Sequence, residues 1–279
     1  MADEVPSFVF YRYKPSMVAA VIFIVLFAIL SIYHIIILFR KKAWYFIPFV
    51  IGCLFEAVGY VGRALSSPEY PNFTMNPYII QSLLLLLGPT LFAASIYMIL
   101  GRLVVLLEAD SYSLIKPRWL TKFFVLGDIL SFFTQGAGGG LLTQAKSMDD
   151  LRRGESTIIG GLCIQILFFG FFMVVTFVFH RRISKKPTRN ALALPTPWRK
   201  LILVLYLSST LIMIRSVYRV VEYVLGSDGE LLSKEAYLYC LDALPMLVVA
   251  LAYIWFHPSR VVSRDKQGQI SVTSLEVLG

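Results

Sequence analysis

Hydrophobic positions run almost without interruption through seven stretches of the chain, at residues 17–39, 44–65, 78–101, 119–142, 157–179, 201–225 and 236–256. Each is long enough to cross a bilayer, which takes about 20 residues. The apolar positions do not alternate with polar ones, so these are not barrel strands, and a backbone in hydrocarbon must satisfy its own polar groups as a helix. The pattern predicts an all-α, polytopic membrane protein. A seven-transmembrane-helix bundle would occupy 17–256, between an N-terminal tail at 1–16 and a C-terminal tail at 257–279. The connecting segments are too short for a separate soluble domain. The first stretch ends on Arg40, Lys41 and Lys42 rather than on small residues, so it is expected to stay as a helix and not to be cleaved as a signal peptide.

Composition agrees with this class: 57% of residues are hydrophobic and 15% charged, against roughly 45–50% and about 25% in soluble chains. Charge adds an orientation, because basic residues in short flanks mark the cytosolic side. Seventeen flanking Lys and Arg fall on one side, among them Arg40, Arg102, Arg118, Arg181, Lys200 and Arg260. Six fall on the other: Arg12, Lys14, Lys146, Arg152, Arg153 and Lys234. The N-terminal tail is therefore expected to be extracellular and the C-terminal tail cytosolic. The net charge of +9 then faces anionic lipid of the inner leaflet and needs no nucleic acid. The sequon Asn72-Phe73-Thr74 falls in the outside loop between the second and third helices, a candidate glycosylation site. Cys53, Cys163 and Cys240 all lie within spans, where packing rather than redox or metal chemistry is expected.

Ionisable side chains at membrane depth are costly and mark functional sites. Helix two carries Glu56, Tyr60 and Arg63, helix six Arg215, Arg219 and Glu222, and helix seven Glu235, Tyr239 and Asp242. Each set recurs at i, i+4, i+7 and so shares one face. Helix four adds Asp128, Ser131 and Gln135, and helices three and five add Gln81 and Gln165. At about 1.5 Å per residue, Arg63, Gln81, Gln135, Gln165, Arg219, Glu222 and Asp242 fall in the outer half, Glu56 and Arg215 near the middle, and Asp128 slightly inward. A polar cavity opening outward is expected. Helix one, apart from Ser31 and His34, is expected to face lipid.

Three arginines oppose five acids within these spans. With Glu235 counted as solvated one carboxylate remains in excess, and in low dielectric it takes a proton or a cation. Asp128 and Asp242 are the expected holders. The alternative is that the charges pair with one another and lock the helices. Pro89 and Pro245 each free the carbonyl four residues earlier, at Leu85 and Leu241, which makes them hinge candidates. The small residues at 136–140, with Gly160 and Gly161, read as close-packing positions.

Several chemistries are excluded. No Walker sequence follows the glycine run, no Gly-x-Ser-x-Gly elbow occurs, and the motifs of an aspartyl intramembrane protease are broken at Asp128 and Asp242. His34, His180 and His257 sit near cytosolic helix ends and read as solvated residues, not as zinc ligands. No cofactor, no metal and no catalytic residues are expected.

The spacing Glu56-x-x-Gly59-Tyr60-x-x-Arg63 occurs together with Gln81, Gly88-Pro89 and Ala93-Ala94-x-x-Tyr97. It continues with Asp128-x-x-Ser131-x-x-x-Gln135-Gly136, Gly161-x-x-x-Gln165 and Arg215-x-x-x-Arg219-x-x-Glu222-Tyr223. Gly226, Gly229, Glu235 and Tyr239-x-x-Asp242-x-x-Pro245-Met246 complete the set. In these residues the chain resembles the fungal lipid-translocating exporter family, from Glu56 to Pro245. The resemblance implies a seven-span plasma-membrane protein that moves amphiphiles such as sphingoid long-chain bases and sterol- or porphyrin-like compounds, and confers resistance to toxic amphiphiles. Its partners would be membrane lipids and the amphiphilic substrate; a protein partner is left open. The path or ligand site would then comprise Glu56, Tyr60, Arg63, Gln81, Asp128, Gln135, Gln165, Arg215, Arg219, Glu222, Tyr239 and Asp242. Two other readings fit seven spans: a heptahelical lipid sensor, and a regulatory subunit of membrane lipid asymmetry.

Overall fold

The structure is a computed structural model that describes residues 11, 13–145, 147–193, 197–225, 234–261, 263–264 and 270–271. Arg12, Lys146, Gly226 and Gly229, named above, lie outside the described residues. Regular structure among the described residues is helical, apart from a two-residue antiparallel pair of Ser263–Arg264 with Ile270–Ser271.

Seven long helices follow in order. They are α1 (Met17–Lys41), α2 (Ile47–Ser66), α3 (Met75–Leu106), α4 (Pro117–Gln144), α5 (Met148–Lys185) and α6 (Trp198–Val224). The seventh, α7, is built from Glu235–Leu238, a π-turn at Tyr239–Ala243 and Leu244–Trp255. Six of the seven are long and apolar enough to cross a membrane, so this is a multi-pass membrane protein. The exception is α4, whose 28 residues reach about 42 Å but whose apolar character is diluted by Lys122, Asp128, Gln135 and its glycines. It packs between α3 and α5 as part of the same bundle.

Local chemistry extends some helices past their apolar stretches. The Ser147 hydroxyl accepts from the Asp150 amide, and Asp149 and Asp150 stand in the first turn, so α5 starts well before its hydrophobic run. A short helical turn, Arg189–Ala193, links α5 to α6. Thr188 Oγ1 donates to the Leu107 carbonyl at 2.6 Å, which ties this link to the end of α3.

Helices in lipid gain no hydrophobic attraction from each other, so close backbone approach and interhelical hydrogen bonds hold them. Gly62 gives the α2–α3 contact its closeness: a Cβ there would lie 2.8 Å from the Pro77 carbonyl oxygen. Gly161 does the same between α5 and α4, where a Cβ would lie 3.0 Å from the Ser131 carbonyl oxygen. Gly136, Gly139, Gly140 and Gly160, by contrast, face open space.

Helix α1 lies at the edge of the bundle, with Ile22, Val25, Ile29, Ile32 and Ile36 exposed and Phe27, Ser31 and His34 turned inward. Two histidines depart from the solvated reading. His34 and His257 are buried, with ring centroids 6.3 Å apart, and His34 Nε2 lies 3.1 Å from the Ala250 carbonyl oxygen. The cause is the helical turn Trp44–Phe46, which brings the Phe46 ring to 5.7 Å from His34 and 4.9 Å from His257 and covers both.

Candidate functional site

The three polar stripes of α2, α6 and α7 meet inside the bundle. They form a staircase that descends from the helix ends at Ser66, Val224 and Glu235. Counted from those ends at about 1.5 Å per residue, Glu222 and Arg63 lie within about 5 Å, Arg219 and Asp242 at about 8 to 10 Å, and Arg215 and Glu56 at about 14 to 15 Å.

Asp242 joins α6 to α7. Its carboxylate lies 2.5 Å from Arg215 Nε and 3.4 Å from Arg219 Nη2. Arg219 Nη1 also meets Glu222 Oε2 at 2.8 Å, and Glu222 Oε1 accepts from the Tyr218 hydroxyl at 3.2 Å. Arg215 Nη2 donates to the Leu85 carbonyl. That carbonyl is available because Pro89, inside α3, has no amide hydrogen to give it. Pro245 acts similarly one turn beyond Asp242, in the helical segment that follows the π-turn. The two prolines thus sit beside the two partners of Arg215.

The outer step centres on Arg63. Its Nη2 donates to Glu235 Oε1 and to the Tyr13 hydroxyl, each at 2.8 Å, and its Nε to Glu235 Oε1 and the Tyr239 hydroxyl, each at 3.1 Å. The rings of Tyr11, Tyr13 and Tyr239 surround the guanidinium at 5.4 to 5.7 Å, a cation–π arrangement. The Tyr11 hydroxyl donates to Gln81 Oε1 at 2.8 Å. The Ser16 amide donates to both oxygens of Glu235, at 3.0 and 2.9 Å, and Ser67 Oγ donates to the Pro15 carbonyl at 2.7 Å. Residues 11 and 13–16 thereby lie as a strap across the end of α2, α3 and α7. Burial pushes the Tyr11 phenol up to about 12, and it raises that of Tyr13 as well, so both stay neutral donors or acceptors at ordinary pH.

Three sequence expectations change here. Among the described residues the staircase does not open outward: the side chains of Arg63, Arg215 and Asp242 are at most 3% exposed, the strap lying over Arg63 and the deeper charges pairing with one another. Asp242 is not a spare carboxylate, since Arg215 and Arg219 hold it. Glu235 is not solvated but paired with Arg63. The excess acids are therefore Glu56 and Asp128, for which the described residues provide no salt bridge.

Asp128 lies apart from the staircase, on α4 facing Tyr97 of α3. Gln135 and Gln165 lie apart too. Gln135 Nε2 donates to Ser131 Oγ at 2.7 Å and to Gln165 Oε1 at 3.5 Å, and Ser131 Oγ donates to the Gly161 carbonyl at 2.7 Å. This group bonds α4 to α5. Tyr60 is fully buried and its ring stacks on Phe27 at 6.0 Å, which places it between α1 and α2 beside the staircase. Asn72 is exposed in the α2–α3 link, on the same end of the bundle as the strap. Tyr11, Tyr13 and Tyr218 had not been singled out in the sequence. A Tyr-x-Tyr pair just ahead of an apolar helix is the interfacial aromatic signal that points to the first two.

Residues 49–265 match the family described as RTA1 like protein. The chain is similar to protoporphyrin uptake protein 1 of Saccharomyces cerevisiae, at 41% identity over 91% of this chain and 93% of that one. It is similar to protein RTA1 of the same yeast at 38% identity, over 90% and 86%. It is also similar to the yeast sphingoid long-chain base transporter RSB1 at 26% identity, over 88% and 72%. No solved structure matches the chain.

Proposed function

The chain belongs to the RTA1-like family, and from that premise we propose that it moves amphiphilic, lipid-like molecules across the plasma membrane without altering them chemically. The observation that carries this reading is the buried staircase: charged side chains of α2, α6 and α7 step from the bundle's end to about 15 Å of depth behind apolar, lipid-facing helix surfaces. Intramembrane charges held this way mark substrate or ion pathways. The relatives named for protoporphyrin uptake and for sphingoid long-chain base transport support a cargo with a large apolar body and a charged head. In this reading the strap is extracellular, Asn72 carries a glycan on the same side, and the basic α5–α6 link faces the cytosol. Glu56, Tyr60, Arg63, Gln81, Arg215, Arg219, Glu222, Tyr239 and Asp242 form the polar path, with Pro89 and Pro245 as its hinges, while Asp128, Gln135 and Gln165 stand apart from it.

The test is transfer of a fluorescent long-chain base between leaflets of liposomes containing only the purified chain. Faster transfer than in protein-free liposomes is expected; equal rates for long-chain bases and for porphyrins refute the proposal. The strap and the mutual pairing of the charges favour, as a second reading, a heptahelical sensor. That reading expects ligand binding and recruitment of a cytosolic protein with no transfer.

A further inference from the structure

Among the described residues, Glu56 is the one acid of the staircase with no cation of its own. It is 2% exposed, and its Oε1 has no hydrogen-bond partner. It faces α3 at Gly88, where a Cβ would lie 2.7 Å from that same oxygen. The charged groups that act on it come from α6, Arg215 and Arg219, and from α7, Asp242. Its own helix contributes the titratable groups Cys53 and Tyr60. α3 presents Leu85 and Gly88 at this level, and α1 presents the Phe27 ring on Tyr60.

Among the described residues the charge balance around Glu56 is closed. Arg215 and Arg219 carry two positive charges, and Asp242 and Glu222 two negative ones. A neutral Glu56 leaves the group at zero, whereas an ionised Glu56 leaves it at minus one. A net charge held away from water is expensive, so loss of the Glu56 proton must be matched by arrival of one cation. Arg215 is placed to make the exchange. It bridges Asp242 and the Leu85 carbonyl, and Leu85 lies one turn from Gly88, which Glu56 touches.

We propose that this cluster exchanges one proton for one monovalent cationic head group, with Glu56 as the proton carrier and Asp242 as the seat of the cation. The proposal rests on the translocator reading and gives its cargo a charge and its transport a coupling ion. The Glu56 O–H bond breaks and its proton goes to the aqueous phase, leaving a carboxylate. Arg215 turns from Asp242 to that carboxylate. Asp242, still held by Arg219, then accepts an ammonium group, and the total charge is unchanged. The π-turn at Tyr239–Ala243 surrounds Asp242 with a helical segment out of α-register, which lets the carboxylate turn without breaking a full helix. Return of the proton to Glu56 sends Arg215 back and expels the ammonium.

The experiment uses the full chain in detergent, weakly buffered, with a pH indicator dye. A quaternary alkylammonium amphiphile serves as probe because it has no proton of its own. Release of about one proton per bound cation is expected, with affinity rising about tenfold per pH unit where the exchange is one for one. Glu56→Gln is expected to release none. In Asp242→Asn, Arg215 is free to pair with Glu56 beforehand, so the probe neither binds nor releases a proton. Binding to the wild-type chain without proton release, no binding at all, or equal release from Glu56→Gln overturns the inference. Proton release with no lipid transfer in liposomes leaves the exchange standing and removes the translocator reading instead.

Discussion

Replacing Glu235 by alanine tests how the strap is held. The substitution removes the acceptor of two Arg63 hydrogen bonds and of the Ser16 amide. Breaking a buried pair costs roughly 3–5 kcal/mol when the remaining charge is left alone. Arg63 keeps the Tyr13 and Tyr239 hydroxyls as acceptors, and the Glu235 side chain is 17% exposed, so the expected cost falls to about 2 kcal/mol. Hydrogen exchange at the Ser16 amide reads this directly, since that N–H is given to Glu235 alone. A cost of about 2 kcal/mol raises its exchange about 30-fold. Glu235→Gln keeps one acceptor oxygen and loses the charge, so about 1 kcal/mol and about fivefold is expected. An unchanged exchange rate in Glu235→Ala refutes the reasoning that this carboxylate anchors the strap.

The other predictions probe separate parts of the fold. Gly161→Leu forces α5 away from the Ser131 carbonyl and is expected to cost about 2 kcal/mol or more in thermal unfolding, whereas Gly136→Ala, which meets nothing within 4 Å, stays within about 0.5 kcal/mol; equal melting temperatures for the two variants contradict the close-approach argument. Pro89→Ala supplies an amide that competes with Arg215 for the Leu85 carbonyl. Loss of that bond, worth about 1.5 kcal/mol, predicts roughly tenfold slower lipid transfer with no loss of thermal stability, and unchanged transfer counts against it. For Tyr11 burial raises the folded pKa to about 12, above the ordinary phenol value of 10.0. Its contribution to the strap is therefore complete below pH 10 and lost as pH rises through about 12. Ser16 exchange corrected for intrinsic rate should rise across that window and not below it, and the rise should be absent in Tyr11→Phe.

The helices were legible because each depends on a local signal, an uninterrupted apolar run. Their ends were less so, as α5 shows: Ser147 and two aspartates start a helix where hydropathy alone ends it. The polar stripes of α2, α6 and α7 were legible for the same local reason, since a period of 3.6 places Arg215, Arg219 and Glu222 on one face. Periodicity does not say which helix stands opposite. Asp242 therefore read as a spare carboxylate although two arginines of α6 hold it, and Gln135 and Gln165 read as lining although they bond α4 to α5. His34 and His257 were misread as solvated because their cover, the turn Trp44–Phe46, is a loop whose fold depends on its neighbours.

Helix α1 has the highest mean hydropathy of the six crossing helices and the smallest share of its surface inside the bundle, and it precedes the residues that match the family. A segment of that kind is easily captured by the insertion machinery while contributing little to the interior where cargo would pass. Helix α1 meets the polar interior only through its inward rings, Phe23 and Phe27 against Tyr60 and Tyr239. The outward face of α1 is accordingly free to diverge, or to be matched to a particular bilayer, without disturbing Arg215 and its partners.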